Sequence, residues 1–197
     1  MPHYFGNRIR LREYRESDME AMRKWVNDPE VTESLHDLFL SPHSYTTTES
    51  FKNEVMKPRD NIRSFVIAEK ESEAYIGQID LHIDWKNRIG TIGIVIGRKE
   101  LFGQGYGEEA IRVLQAVAFD QLQLNRVQLE VLEPNERAYR CYIKCGFVEE
   151  GRQRQRVFRN GRYLDMIGLG LLREQYEQDE RQQPYRKLAY WGTKQLE

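Results

Sequence analysis

Disulfide frameworks, zinc clusters and membrane spans all need residues that this chain does not have. Its two cysteines, Cys141 and Cys145, lie four apart on one expected helix. That spacing gives no disulfide framework, and no third or fourth ligand stands nearby for zinc. Both thiols are therefore expected to serve packing or to lie inert at the surface. No apolar run approaches the ~20 residues of a membrane span. Residues 1–8 hold no apolar signal-peptide core, so the expected setting is cytoplasmic. Neither sign of charge dominates, with 30 Lys plus Arg against 31 Asp plus Glu. Nothing global draws the chain to nucleic acid or to an anionic membrane, although a local basic patch stays open. A Walker-type phosphate loop is excluded, because no Gly-Lys-Ser or Gly-Lys-Thr occurs. At 197 residues the chain can bury a core without staples.

What is present centres on Phe102-Gly103-Gln104-Gly105-Tyr106-Gly107-Glu108-Glu109-Ala110. Glycines at alternate positions leave the backbone N–H groups uncovered. A helical pattern follows, with Ala110, Ile111, Leu114, Val117 and Ala118 at helical spacing. Open N–H groups and the positive end of the helix dipole together form a cradle for phosphate or pyrophosphate. Glu108 and Glu109 suit the dipole but would repel a pyrophosphate, so their side chains are expected to point away from it.

Around the cradle the pattern predicts a strand at 9–12 and a helix opened by a capping box at Ser17-Asp18-Met19-Glu20. An irregular segment at 32–45 suits a loop that covers a site. A second helix spans 46–56, with a box at Thr46 to Glu49 and Pro58 beyond its end. Strands follow at 64–68, 76–83 and 89–96, the last two as an antiparallel hairpin. After the cradle come a helix at 108–121, a strand at 127–132 and a helix at 135–144 stopped by Gly146. Strands 152–158 and 163–170 flank Asn160-Gly161, a strong hairpin signal. Alternation would put Arg152, Arg154 and Arg156 on one strand face. There they could attract an acidic peptide, nucleic acid or phosphate, or simply pair with neighbouring carboxylates. The segment 173–197 is charged and Gln-rich, with aromatics at Tyr185, Tyr190 and Trp191. It reads as an extension, appended or frayed, to a domain at 1–172.

Gly105-Tyr106-Gly107-Glu108-Glu109-Ala110 also matches a dinucleotide fingerprint, with Glu130 about twenty residues on as a ribose-binding acid. Its context argues against that reading, since an antiparallel hairpin precedes the glycines and they do not follow a strand directly. The downstream pattern Asn135-x-x-Ala138-x-x-x-Tyr142-x-Lys144-x-Gly146-Phe147 points elsewhere. With it the chain, over about residues 8–172, resembles the GNAT superfamily of N-acetyltransferases, and most of all its RimJ/RimL-like branch. Phe102 stands where Arg or Gln is common in that family.

The resemblance implies an α+β fold, with a mixed, mostly antiparallel twisted sheet flanked by helices and splayed at the acetyl-CoA site. It implies that Gly103, Gln104, Gly105, Tyr106 and Gly107 hold the coenzyme A pyrophosphate. It also implies that Ile94, Val95 and Ile96 pair with the pantetheine arm. Asn135 is either a helix cap or a cofactor contact. Tyr142, also at the cofactor, is the candidate acid that protonates the leaving thiolate. The strand at 89–96 carries no carboxylate, so the general base stays open among His82, Asp84, Glu130 and Glu133, of which Glu133 is taken forward. The expected function is direct transfer of acetyl from acetyl-CoA, as cosubstrate, to a primary amine. The acceptor could be a protein N-terminus, a polyamine or a small amine, and no metal, membrane or nucleic-acid partner is expected. A homodimer stays open. The alternatives are a coenzyme A-binding module without catalysis and an NAD-dependent oxidoreductase.

Overall fold

The computed structural model describes residues 3–35, 39 and 41–189. Tyr190 and Trp191 lie outside the described residues, as does part of the 32–45 segment. Strands β1 (Tyr4–Phe5), β2 (Ile9–Arg12), β3 (Ile62–Glu69), β4 (Tyr75–Asp84), β5 (Ile89–Ile96), β6 (Arg126–Leu132), β7 (Val148–Arg159) and β8 (Arg162–Leu172) form one sheet. Its spatial order is β1-β2-β3-β4-β5-β6-β8-β7. The β5–β6 pair is parallel, and the other neighbours run antiparallel.

Helices cover both faces. On one face lie α4 (Tyr106–Ala116), which continues in π-type turns at Val117–Gln121, and α5 (Glu136–Lys144). Ile111, Leu114 and Tyr142 from these helices pack on Ile79, Ile92, Val127, Leu129 and Ile167 of the sheet. On the other face lie α1 (Met19–Val26), the short α2 (Pro29–Thr32) and α3 (Tyr45–Met56). There Met22, Trp25 and Phe51 pack against Val66, Tyr75 and Val95.

The helix starts differ from the expected capping boxes. A 3-10 turn at Glu16–Asp18 precedes α1, and the Arg15 backbone N–H donates to Asp18 Oδ2 at 2.8 Å. Asp18 is fixed there by the buried Arg12, whose guanidinium forks onto both carboxylate oxygens at 2.7 and 2.9 Å. For α3 the cap is Ser44, which accepts from the Thr47 N–H at 3.0 Å, two positions ahead of the expected box. The Asn160-Gly161 signal holds, with φ of +51° and +77° suiting a tight type I′ connection between β7 and β8.

The arginine alternation is interrupted. Pairing of β7 with β8 slips between Gln153 and Val157, and Gln155 takes φ +53° with its N–H on Asp165 Oδ1 at 2.8 Å. Two extra residues of β7 are accommodated here, so Arg154 and Arg156 fall in a stretch without strand partners while Arg152 stays in the ladder opposite Ile167.

Residues 173–189 are packed rather than frayed. They form α6 (Arg173–Gln178), a 3-10 turn at Glu180–Gln182 and α7 (Gln183–Ala189). Tyr176 is buried, stacked on Phe119 at 4.5 Å, and donates its hydroxyl to Asp120 at 2.7 Å. Among the described residues no helix is long and apolar enough to cross a membrane. Nor does any group of His, Cys, Asp and Glu among them suit a metal ion.

Candidate active site

The β5–β6 pair is short. Ile89, Gly90 and Thr91 face Arg126, Val127 and Gln128, and there the register ends. Beyond it Gly93–Ile96 and Leu129–Leu132 part, so the sheet splits and leaves backbone groups of β5 open on one side. A cavity of about 550 Å³ fills the split. Ile94, Val95 and Ile96 line one wall, Asn135 and Tyr142 the other, and Gly103, Gly105, Tyr106 and Gly107 the end.

The cradle fits an anion. Gly105 is the N-cap of α4 with φ +85°, a conformation costly for any residue bearing a Cβ. It offers no side-chain acceptor to the first N–H groups of the helix, which are thereby left for a ligand. A Cβ on Gly107 would stand 3.8 Å from Ile96 Cγ1 and 3.9 Å from Cys141 Sγ, inside the cavity. Gln104 is exposed and does not line the cavity; its carbonyl accepts from Arg8 Nη1 at 3.1 Å.

The two glutamates of the first turn part ways. Glu109 is buried and turned from the cavity, accepting from the Arg8 backbone N–H at 2.7 Å and from Arg8 Nε at 3.0 Å. Glu108, contrary to expectation, lines the cavity. Its charge is offset by the buried Arg112, whose Nε lies 3.3 Å from Glu108 Oε1. Further cationic character comes from α5, where the Arg137 guanidinium sits 3.7 Å from the centroid of the Phe102 ring. Arg137 thus brings a guanidinium to the position at which Phe102 supplies none.

Asn135 does cap α5, its Oδ1 accepting from the Ala138 N–H at 3.2 Å, and it lines the cavity as well. Tyr142 is buried at the cavity wall, and burial beside Cys141 and Cys145 pushes its phenol pKa well above the ordinary value. Cys141 lines the cavity and Cys145 is buried behind it.

None of the four expected base candidates lines the cavity. Glu133 is exposed at the rim, 3.9 Å from Arg152. Glu130 is exposed and accepts from Gln153 Nε2 at 3.4 Å. His82 and Asp84 are exposed, the latter accepting from Asn87.

A carboxylate that the sequence reading passed over, also outside the cavity lining, lies opposite the β5 strand that borders the split. Asp80 on β4 faces Ser64 of β3 and Gly93 of β5 across the register. The row Val66, Gln78 and Val95 marks this as the α1–α3 face of the sheet. Asp80 is half-buried overall, yet its Oδ1 is sealed from solvent without a hydrogen-bond partner. Burial raises its pKa, opposed by a hydrogen bond from Ser64 and by the nearby His82. A Cβ on Gly93 would meet nothing within 4 Å, so open space lies between Asp80 and the split edge of β5. Tyr14 adds a second buried and unpartnered oxygen, its phenol pKa raised by burial and by Asp80 close by. The signal was readable: Gln78, Asp80 and His82 alternate through an otherwise apolar strand, and a buried polar group without a partner is costly enough to need a reason.

A split mixed sheet and a glycine cradle on a helix start suit a phosphate-anchored donor laid along the open edge of β5. Residues 8–148 match the acetyltransferase (GNAT) domain, and the chain belongs to that family. It is an N-acetyltransferase with acetyl-CoA as cosubstrate. The dinucleotide reading falls with this, since the cradle follows an antiparallel β4–β5 hairpin.

Among its relatives is the spermidine N(1)-acetyltransferase of Vibrio cholerae, 27% identical over 173 residues, covering 87% of this chain and 96% of that one. A putative ribosomal N-acetyltransferase of Bacillus subtilis, YdaF, is 37% identical over 102 residues, which is 51% of this chain and 55% of the relative. In structure the chain resembles the Vibrio cholerae spermidine enzyme in complex with CoA and spermine, with a TM-score of 0.75 and 27% identity over 86% of this chain and 98% of that one. An acetyltransferase (GNAT family) from Bacillus anthracis shares the fold with a TM-score of 0.76 at 21% identity, over 87% of this chain and 99% of that one.

Proposed function

We propose that this N-acetyltransferase belongs to the RimJ/RimL-like branch and moves acetyl to a primary amine by direct attack, with Asp80 and Tyr142 as its acid–base pair. The observation that carries the reading is the half-buried Asp80 carboxylate, whose sealed Oδ1 has no hydrogen-bond partner and which opens over Gly93 towards the split. Acetyl-CoA supplies an activated acyl group as a thioester. Gly103, Gly105, Tyr106 and Gly107 anchor the pyrophosphate, with Gln104 completing the turn. The open edge of β5 at Ile94, Val95 and Ile96 aligns the pantetheine arm, and Asn135 borders it.

Asp80 receives the proton that the amine must lose. For a Lys-like amine of pKa ~10.4 that loss costs roughly 4–5 kcal/mol at pH 7, and for an α-amino group near ~7.8 only about 1 kcal/mol. A carboxylate with its pKa raised by burial is a better base than an exposed one such as Glu133, which is why Asp80 replaces Glu133 in this role. Tyr142 stays protonated across the neutral range and returns a proton to the departing sulfur. The new C–N bond forms as the C–S bond breaks, and the chain itself carries no acetyl group at any point.

Thiol release measured with acetyl-CoA and a panel of peptides, polyamines and aminoglycosides tests both ends of this reading. Tyr142→Phe is expected to lower kcat by about 10²-fold with the KM for acetyl-CoA unchanged. Equal turnover of variant and parent would remove Tyr142 from the reaction. A coenzyme A-binding module without catalysis would release no thiol with any amine.

A further inference from the structure

The β7–β8 hairpin concentrates charge of one sign. Arg152, Arg154, Arg156, Arg159 and Arg162 fall between Glu150 and Asp165 with no carboxylate among them. Three of the five side chains have partners among the described residues, Arg156 through its Nε on Gln153 Oε1 at 2.8 Å. Arg152 pairs with Glu149 at 2.7 Å, and Arg159 holds the backbone carbonyls of Glu33 and Leu35. Arg154, Arg156 and Arg162 are exposed, and none of the three forms an ion pair with a described residue. The bulge that disrupts the β7 register lifts Arg154 and Arg156 out of ordinary strand pairing.

This arm borders the acceptor side of the split. Gln153 reaches Glu130 on the exposed face of β6, and Leu35, whose carbonyl Arg159 holds, lines the cavity. The two ends of the acceptor path therefore differ in sign. A half-buried carboxylate, Asp80, waits for the amine, and guanidiniums without an ion pair among the described residues border the approach.

We infer that the acceptor is a peptide or protein with a free amine at one end and carboxylates several residues away, held by Arg154, Arg156 and Arg162. The inference rests on the N-acetyltransferase reading above and narrows its acceptor. From β4 to β7 the sheet counts four strand spacings, at least about 19 Å at ~4.8 Å each because β5 and β6 part on the way. An extended peptide covers that span in about six residues at ~3.3 Å each. A polyamine, cationic along its whole length, meets on this arm only carboxylates already engaged, Glu149 by Arg152, Glu150 by Arg126 and Asp165 by the Gln155 N–H. Nucleic acid would need a wider basic surface than one hairpin on a chain of net charge −1.

Each opposite-charge contact at about 4 Å in water is worth roughly fivefold in binding, so two arginines amount to about 25-fold at low salt. Acetylation of three hexapeptides with free N-termini, whose last three residues are Asp, Ala or Lys, measures this directly. Spermidine and a single-stranded oligonucleotide serve as competing probes. The acidic peptide is expected to exceed the Ala peptide by about 25-fold in kcat/KM at low salt, with the gap closing as salt screens it. The double variant Arg154→Glu with Arg156→Glu is expected to shift preference to the Lys peptide, with the KM for acetyl-CoA unchanged. Equal use of the three peptides, or spermidine as the best acceptor, would overturn the inference, as would tighter competition by the oligonucleotide than by the acidic peptide. Absence of thiol release with every amine would instead count against the transferase reading beneath it.

Discussion

Asp80→Asn is expected to lower kcat by at least about 10²-fold while acetyl-CoA binds as before. The carboxylate has an oxygen sealed from solvent opposite the β5 strand at the split, and an amide of the same shape cannot accept the amine proton. Its pH dependence follows from the direction of its shift. Burial raises the Asp80 pKa, so the reactive carboxylate is lost at a higher pH than for an exposed Asp, and kcat/KM falls as pH drops through that raised value. The Asn variant should lose this limb and keep only the one set by the amine. Stability should move in the opposite sense. The native state holds the Asp80 proton more tightly than the unfolded chain, so the burial penalty is absent at low pH and grows as pH rises through the raised pKa. Asn mimics the protonated form, and its Tm at neutral pH is expected to equal or exceed that of the parent. A variant both inactive and much less stable would point to a structural role for Asp80 instead.

Gly107→Val is expected to raise the KM for acetyl-CoA by more than tenfold and to leave the fold intact. A Cβ at this position makes ordinary contacts with Ile96 and Cys141. The two methyls of Val would go further, into the cavity and over the N–H groups at the start of α4. Calorimetric titration with coenzyme A reads the loss without turnover, and circular dichroism checks the fold. Unchanged affinity would mean that the pyrophosphate is held elsewhere.

Much of this architecture is legible in the sequence because its signals are local. The glycines before α4, the hairpin before them and Asn135 to Phe147 each follow from turn chemistry and periodicity, and their order carries the family likeness. What was missed depends on distant contacts. Asp80 reads as one more polar position on a half-buried strand until the register sets it opposite Gly93 and seals its Oδ1. The helices after residue 172 have few apolar residues, and their packing rests on Tyr176 and on the buried Gln182, which meets Arg112. The ladder is interrupted within the arginine stretch because a bulge depends on the partner strand, here through Asp165 accepting from the Gln155 N–H. Glu108 faces the cavity only because Arg112, one turn on, is buried beside it.

Initial rates measured while acetyl-CoA and a peptide amine are varied together test the central claim most directly. Direct attack requires both substrates on the protein at once, so double-reciprocal lines are expected to intersect. Parallel lines, with acetyl trapped on the chain when the amine is withheld, would contradict the account.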